Sequence, residues 1–256
     1  MILAIDVGNS TVNMAVVNED SKEILFTQRI TTDKRKNSND YEAFFRETLS
    51  LHHIDISILS GGILTSSVPA LSDVVLLAAE KIIKTNMIKV GPGIKVDVDL
   101  GHPNPSELGP DLLVGAIAGV LEYGTPLIIA DLGTCSTISV INKEGIFLGG
   151  MIVPGVAVSQ SGMLNRASHL PKVDLKKPAH LICADTVEAI QSGLLYGHAA
   201  MIDGMIDRIE ADLGYKLNTI VTGGLSTIVG PLCQRPVIIS ENLMFNGLIS
   251  LYKMNI

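Results

Sequence analysis

Short apolar runs alternate along this chain with longer segments whose apolar residues recur at helical spacing, the signature of an α/β protein. Residues 2–7, 12–18 and 24–31 read as successive strands of an antiparallel meander, and the polar stretch Thr32–Asp40 leads into a helix over Tyr41–Leu51. Ile63–Ser66 is a short strand that runs into Ser66-Ser67-Val68-Pro69, and Ser72 is placed to cap a helix reaching Ile83. Val96–Leu100 reads as extended and enters a Pro- and Gly-rich loop, Gly101–Pro110, ahead of an apolar helix over Leu112–Leu121. The second half repeats the plan. Strands are expected at 127–131, 136–142 and 145–152, helices at 155–165, 185–196 and 198–212, and a final strand at Thr219–Thr222 meets Gly223-Gly224. With a boundary near Tyr123–Pro126 and no long linker, the pattern predicts two lobes, 1–123 and 124–256.

The repeat extends to chemistry. Leu3-Ala4-Ile5-Asp6-Val7-Gly8-Asn9-Ser10-Thr11 recurs in outline as Ile128-Ile129-Ala130-Asp131-Leu132-Gly133-Thr134-Cys135-Ser136. Each copy is an apolar strand ending in Asp-apolar-Gly and small polar residues, which places a carboxylate at a strand end beside a tight turn. The carboxylate suits a hard cation, directly or through water, and the glycine lets backbone N–H groups approach phosphate oxygens. An Asp-x-Gly turn also occurs in plain hairpins. Two copies, each after an apolar strand and before a β-branched run, point to a duplicated fold with a nucleotide between its halves.

Composition narrows the function classes. A chain of 256 residues with 47% hydrophobic and 18% charged residues buries a substantial core and is not disordered. Its net charge of -7 argues against a nucleic-acid binder, which relies on clustered Lys and Arg, while divalent metal still lets an acidic protein hold ATP. Cys135, Cys183 and Cys233 lack metal-ligand spacing and read as reduced thiols of a cytoplasmic protein. No signal peptide is visible before the first strand, and the Leu112–Leu121 run is too short for a bilayer, which takes about 20 residues. His52-His53 fall at a solvated helix end, and His169, His180 and His198 show no ligand spacing. Lys34-Arg35-Lys36 reads as a solvated turn, and Met151, Met163, Met201 and Met205 as core or dimer packing.

Taken in order, the motifs resemble the type III pantothenate kinases of the actin-like ATPase superfamily. The resemblance rests on Asp6-Val7-Gly8-Asn9-Ser10, Thr65-Ser66-Ser67-Val68-Pro69, Asn104-Pro105-Ser106-Glu107-Leu108-Gly109-Pro110-Asp111 and Asp131-Leu132-Gly133-Thr134-Cys135-Ser136-Thr137. It continues through Gly149-Gly150-Met151-Ile152-Val153-Pro154-Gly155, Asp185-Thr186 with Gln191-Ser192-Gly193 and Tyr196-Gly197, and Thr222-Gly223-Gly224. It implies a duplicated ribonuclease H-like fold, two lobes with mixed β-sheets flanked by helices. The implied reaction is ATP-dependent phosphorylation of pantothenate to 4'-phosphopantothenate, the first step of coenzyme A biosynthesis.

The same resemblance implies roles for residues. The turn from Asp6 through Val7, Gly8, Asn9, Ser10, Thr11, Val12 and Asn13 would cradle the triphosphate, with Asp6 near Mg²⁺, directly or through water. Asp131 would sit at a monovalent cation, K⁺ or NH4⁺, with Thr134 on ATP and Gly223 and Gly224 against the adenosine. Asp111 would be the general base that takes the proton of the acceptor hydroxyl, although by its position alone it reads equally as a helix cap. His102, Gly109, Pro110, Asp111, Leu112 and Thr186 would face the acceptor. Thr186 corresponds to a residue that reaches the neighbouring subunit's pocket, which implies a homodimer with composite sites acting on a small molecule and needing no nucleic acid or membrane. On residue type it also fits an N-cap or first-turn position.

Four positions depart from the family. Leu112 stands where arginine normally follows Gly-x-Asp, His102 where a tyrosine precedes Asn-Pro, and Cys135 and Ser139 where Ala and Asp are usual. The nucleotide half is better kept than the acceptor half. Two other readings therefore accompany pantothenate phosphorylation: a kinase for another small hydroxylated compound, and a catalytically weak ATP-binding regulator.

Overall fold

The computed structural model describes residues 1–83, 85, 87–101, 108–167 and 169–256. Its strands form two five-stranded mixed sheets of matching topology. In the first, β1 (Ile2–Val7), β2 (Thr11–Val17) and β3 (Ile24–Thr31) are the expected antiparallel meander, β4 (Gly61–Ser66) lies parallel to β1, and β5 (Ile88–Lys89) lies parallel to β4. In the second, β6 (Leu127–Leu132), β7 (Cys135–Ile141) and β8 (Phe147–Pro154) repeat the meander, with β9 (Asn218–Thr222) parallel to β6 and β10 (Ile238–Ile239) parallel to β9. Even the irregularities repeat: register shifts at Val16/Val17 and at Val140/Ile141, each on the second strand of its meander.

Sequence texture follows position in the sheet. The central strands β1 and β6 are covered on both faces and are apolar throughout except for Asp6 and Asp131, the two positions left partly exposed. The outer strands β3 and β8 are more open at every second residue, as expected where one face meets water. Separate cores form under the two sheets, one around Leu3, Ile5, Met14, Tyr41 and Phe45, the other around Ile128, Ala130, Leu195, Ile202 and Val221.

Helix α1 (Ser38–Leu51) starts three residues ahead of expectation because Asn37 makes a capping box: its side chain accepts from the Asn39 and Asp40 N–H groups, and Asp40 accepts from the Asn37 N–H. Helix α2 (Pro69–Ile83) also starts earlier, with Pro69 in its first turn, where the missing N–H costs nothing. Ser72 is therefore not a cap but a buried residue inside the helix, and Ser66 Oγ instead accepts from Val68 N at 3.1 Å. Val96–Leu100 forms no strand. Its neighbour Lys95 satisfies both backbone groups on the side chain of Asn255, at 2.9 Å each, rather than on a ladder.

Helix α3 (Pro110–Tyr123) and helix α4 (Val156–Arg166) follow the expected pattern. The two helices expected over 185–196 and 198–212 are one, α5 (Thr186–Leu213): Gly197 costs about 1 kcal/mol but does not interrupt the buried face that runs through Leu194, Leu195, Ala199, Ile202 and Ile206. A short helix α6 (Ser226–Val229) and a terminal helix α7 (Leu243–Met254) complete the set. By compactness the chain divides into Met1–Ala118 with Leu243–Ile256, and Gly119–Asn242. The last segment, placed by the sequence pattern in the second lobe, thus belongs with the first unit. There a Cβ at Gly247 would collide with the Val114 carbonyl, and one at Gly61 with the Tyr252 hydroxyl, so small residues let α7 seat closely against α3 and β4.

Candidate active site

In the first unit the sheet register sets Asn13, Asp6 and Thr65 side by side across β2, β1 and β4, on one face. Asn13 Nδ2 donates to Asp6 Oδ2 at 3.0 Å. Thr65 is only 1% exposed, and its Oγ1 has no hydrogen-bond partner among the described residues. Removal from water pushes the Asp6 carboxyl up to about 6; the Asn13 hydrogen bond opposes this, and the nearby Asp111 carboxylate adds to it. Asp6 and Asp111, far apart in sequence, thus share one electrostatic site.

The turn beyond Asp6 is fixed from both sides. Gly8 N donates to Thr11 O at 2.9 Å, Thr32 Oγ1 donates to Gly8 O at 2.7 Å, and Thr32 N donates to Ser10 O at 3.0 Å. On the other side Ser67 N donates to Val7 O at 3.0 Å. Val7 and Val12 bury their side chains in the core, so any ligand contact from them is through backbone, while Asn9 and Ser10 are exposed at the tip. The sequence reading missed Thr32 and Thr65 as parts of this site. Thr65 carried a signal, since it ends an apolar strand just as Asp6 does; Thr32 carried none.

Asp111 is not the cap of its helix. Leu113 N donates to Gly109 O at 2.9 Å and Pro110 takes the first helical position, so Asp111 is the second residue of α3, with Oδ1 accepting from Leu112 N at 2.9 Å. Its carboxylate sits where the first turn's N–H groups and the helix dipole favour negative charge. Leu112 beside it is partly buried.

The second unit builds its counterpart from Asp131, in register with Thr137 on β7 and Thr222 on β9. Gly223 has φ +88°, and a Cβ there would run into the Asp131 carboxylate and the Leu132 backbone, so no other residue type fits against this aspartate without displacement. Gly155 N donates to Thr134 O at 3.0 Å, and a Cβ on Gly155 would strike the Gly133 and Thr134 carbonyls. Gly223 is thus fitted against Asp131, and Thr134, three residues on from Asp131, is backed by Gly155, an unforeseen support; Gly224, next to Gly223, is exposed.

The sequence model of the type III pantothenate kinase family matches residues 2–208. The chain belongs to this family. The type III pantothenate kinase of Citrifermentans bemidjiense is 34% identical over 255 residues, with 100% of each chain covered. That of Geotalea daltonii is also 34% identical over 255 residues, covering 100% of this chain and 99% of the relative. Solved structures agree on the fold. A protein from Sinorhizobium meliloti described as a 2-dehydro-3-deoxygalactonokinase superposes with a TM-score of 0.63 at 13% identity, over 99% of this chain and 96% of its own. The activator of the 2-hydroxyisocaproyl-CoA dehydratase from Clostridium difficile gives a TM-score of 0.57 at 10% identity, over 99% and 94%. The expected duplicated actin-like architecture is the observed one, and family membership makes the protein a kinase.

Thr186 is the first residue of α5 and exposed; the N-cap is Asp185, whose side chain accepts from Glu188 N at 3.0 Å. Thr186 lines a cavity of about 650 Å³ with Ser159, Met163, Asp185, Ile190 and Leu194, all in the second unit. His102, and Asn104–Glu107 of the acceptor-loop motif, lie outside the described residues. His52 is not at a solvated end: its ring stacks on Phe26 with centroids 3.9 Å apart. Among the described residues no cluster of three or more His, Cys, Asp or Glu is placed to hold a metal ion, so a metal here would rest on single carboxylates, water and phosphate oxygens. No helix among the described residues is long and apolar enough to cross a membrane.

Proposed function

We propose that this kinase transfers the γ-phosphoryl group of ATP to the primary hydroxyl of pantothenate, with Asp111 as general base and Asp6 as the carboxylate facing metal and triphosphate. The observation that carries this reading is the Asp6–Asp111 pair. One carboxylate is desolvated at the end of β1 beside a turn held open by Thr32 and Ser67; the other is on the first turn of α3 and is not used as a cap.

Mg²⁺ fits this site. Asp6 and the buried hydroxyl of Thr65 beside it are oxygen groups of the kind this ion takes together with water and nucleotide phosphates. When bound, the ion would neutralise phosphate charge during transfer. The chain's own contributions are distinct. Asp6 holds negative charge where a cation is wanted, the turn positions phosphate oxygens, and Asp111 accepts the hydroxyl proton as the oxygen attacks phosphorus, with the nucleoside diphosphate as leaving group.

In the second unit, Asp131 would hold K⁺ or NH4⁺ with Thr134 on ATP, and Gly223-Gly224 would offer a flat backbone surface to the adenosine. The exposed Thr186 on the rim of the 650 Å³ cavity fits a composite site completed by a second copy of the chain, which makes a homodimer part of the proposal. We place the reaction in the cytoplasm. The test is ATP consumption with pantothenate against a panel of hydroxy acids and sugars, with direct detection of the phosphorylated product. Pantothenate as the preferred acceptor supports the assignment, and ATP binding with no turnover on any acceptor overturns it.

One observation favours a second reading, a kinase for an uncharged relative of pantothenate. Leu112 places an apolar side chain next to Asp111, where the family's arginine offers a charge-assisted hydrogen bond. Such a bond contributes about 1.5 to 3 kcal/mol, or roughly ten- to more than a hundredfold. Under this reading Leu112→Arg raises kcat/KM for pantothenate selectively and leaves an uncharged analogue nearly unchanged. Efficient parent turnover of pantothenate that falls on adding arginine rejects it.

A further inference from the structure

The least explained polar group near the proposed site is the hydroxyl of Thr65. It is 1% exposed, it has no hydrogen-bond partner among the described residues, and it stands in register with Asp6 on the face that Asp6 shares with Asn13. A buried hydroxyl without a partner is costly, and an isosteric valine would remove the cost.

The other half of the molecule shows that the fold does not require the vacancy. Thr222 occupies the equivalent place, in register with Asp131, and its Oγ1 donates to Ser240 O at 2.6 Å. The backbone around the two threonines is alike: Ser240 N donates to Val221 O at 3.0 Å, and Val90 N donates to Leu64 O at 2.8 Å. Only in the first unit is the hydroxyl left without such a bond.

We infer that Thr65 is a positioning residue of the phosphoryl-transfer site, its hydroxyl reserved for the oxygen ligands that gather around Asp6 when metal and nucleotide bind. The inference rests on the proposed role of Asp6 and adds Thr65 to it. Asn13 holds Asp6 from the β2 side through Oδ2, and Thr65 completes the row from the β4 side, as a donor to the carboxylate or to water held against it. Because β4 is parallel to β1, the next residues along it, Ser66 and Ser67, also flank the phosphate turn, so the same strand end carries both the turn's brace and the hydroxyl.

The experiment measures affinity for a non-hydrolysable ATP analogue with and without Mg²⁺, in the absence of acceptor, for the parent, Thr65→Val, Thr65→Ser and Asp6→Asn, together with each variant's thermal midpoint. Thr65→Val is expected to lose about ten- to a hundredfold of the Mg²⁺-dependent gain in affinity, the scale of a hydrogen bond to a charged group, with metal-free affinity unchanged. Its midpoint should equal or exceed that of the parent. Thr65→Ser should restore the gain. A valine variant with the parent's Mg²⁺ dependence overturns the inference while leaving the Asp6 assignment intact, provided Asp6→Asn loses the dependence. If Asp6→Asn keeps it, the Asp6 assignment fails and the Thr65 role fails with it. A lowered midpoint with proportionate loss of metal-free affinity in Thr65→Val marks the hydroxyl as merely structural and also overturns the inference.

Discussion

The two sheets place a comparable polar row at the same point of the same topology, Asn13–Asp6–Thr65 in one and Thr137–Asp131–Thr222 in the other, and use it differently. In the second unit the threonine hydroxyl is committed to the Ser240 carbonyl and a glycine is fitted against the aspartate, so the cluster is tied to its own backbone. In the first unit the aspartate is desolvated, a second carboxylate raises its proton affinity further, and the neighbouring hydroxyl is unspent. A duplicated scaffold thus gives one strand end whose central threonine hydroxyl is bonded to backbone and one whose threonine hydroxyl is not.

The most forceful way to break this contrast is at Asp111. If chemistry is concentrated in the first unit, Asp111→Asn lowers kcat by about 100- to 10,000-fold while Mg-ATP affinity stays within a few fold, measured by steady-state turnover and by analogue binding. A near-normal rate removes the base from Asp111.

The next largest effect concerns stability of the protein free of nucleotide and metal. The Asp6 carboxyl is raised from 3.8 to about 6, so the folded state holds a proton that the unfolded state releases across that interval. Stability contributed by this position is therefore lost as pH rises from about 4 to 6 and stays lost above it. Asp6→Asn should match the parent near pH 4 and exceed it by about 3 kcal/mol, to order of magnitude, at pH 8 in denaturant unfolding. Parallel stability curves for the two proteins would mean that the carboxyl is not desolvated.

A smaller effect sharpens the comparison directly. Thr222→Val removes a hydrogen bond and strands the Ser240 carbonyl, which should cost about 1 to 3 kcal/mol in the ligand-free protein, whereas Thr65→Val should be neutral or stabilising. Equal losses at both positions would erase the distinction between the halves. The mildest test is ionic: replacing Na⁺ with K⁺ or NH4⁺ at constant ionic strength should raise the rate of the parent, and Asp131→Ala should remove the difference. A parent with equal rates in all three salts carries no monovalent cation at Asp131.

Much of this was legible before the fold was known, for local reasons. The meander strands 2–7 and 24–31 read directly because a run covered on both faces is wholly apolar and an outer strand alternates, and both textures are properties of the residues in the strand. Asp6 and Asp131 were visible as single carboxylates ending otherwise apolar runs. What was misread depended on partners distant in sequence. Ser72 looked like a cap because Ser is a capping residue, but Pro69 had already begun the helix and left Ser72 buried within it. Val96–Leu100 had strand-like composition, yet Asn255 supplies hydrogen bonds beside it. Gly197 looked like a break, but the buried face of α5 continues across it.

The class of fold, its duplication, the two aspartate turns and the family could all be read from the residues alone, because each is written in short periodicities and in motifs whose order survives without any knowledge of contacts. It took the folded chain to show that residues 243–256 pack with the first unit, that Asp111 is not a cap and lies close enough to Asp6 to act on its charge, and that Thr65 stands beside Asp6 with its hydroxyl unspent while Thr222 is bound. Those facts depend on which strand ends are neighbours in a parallel pair and on which polar atoms find a partner once water is gone. Neither is a property of any local stretch of chain.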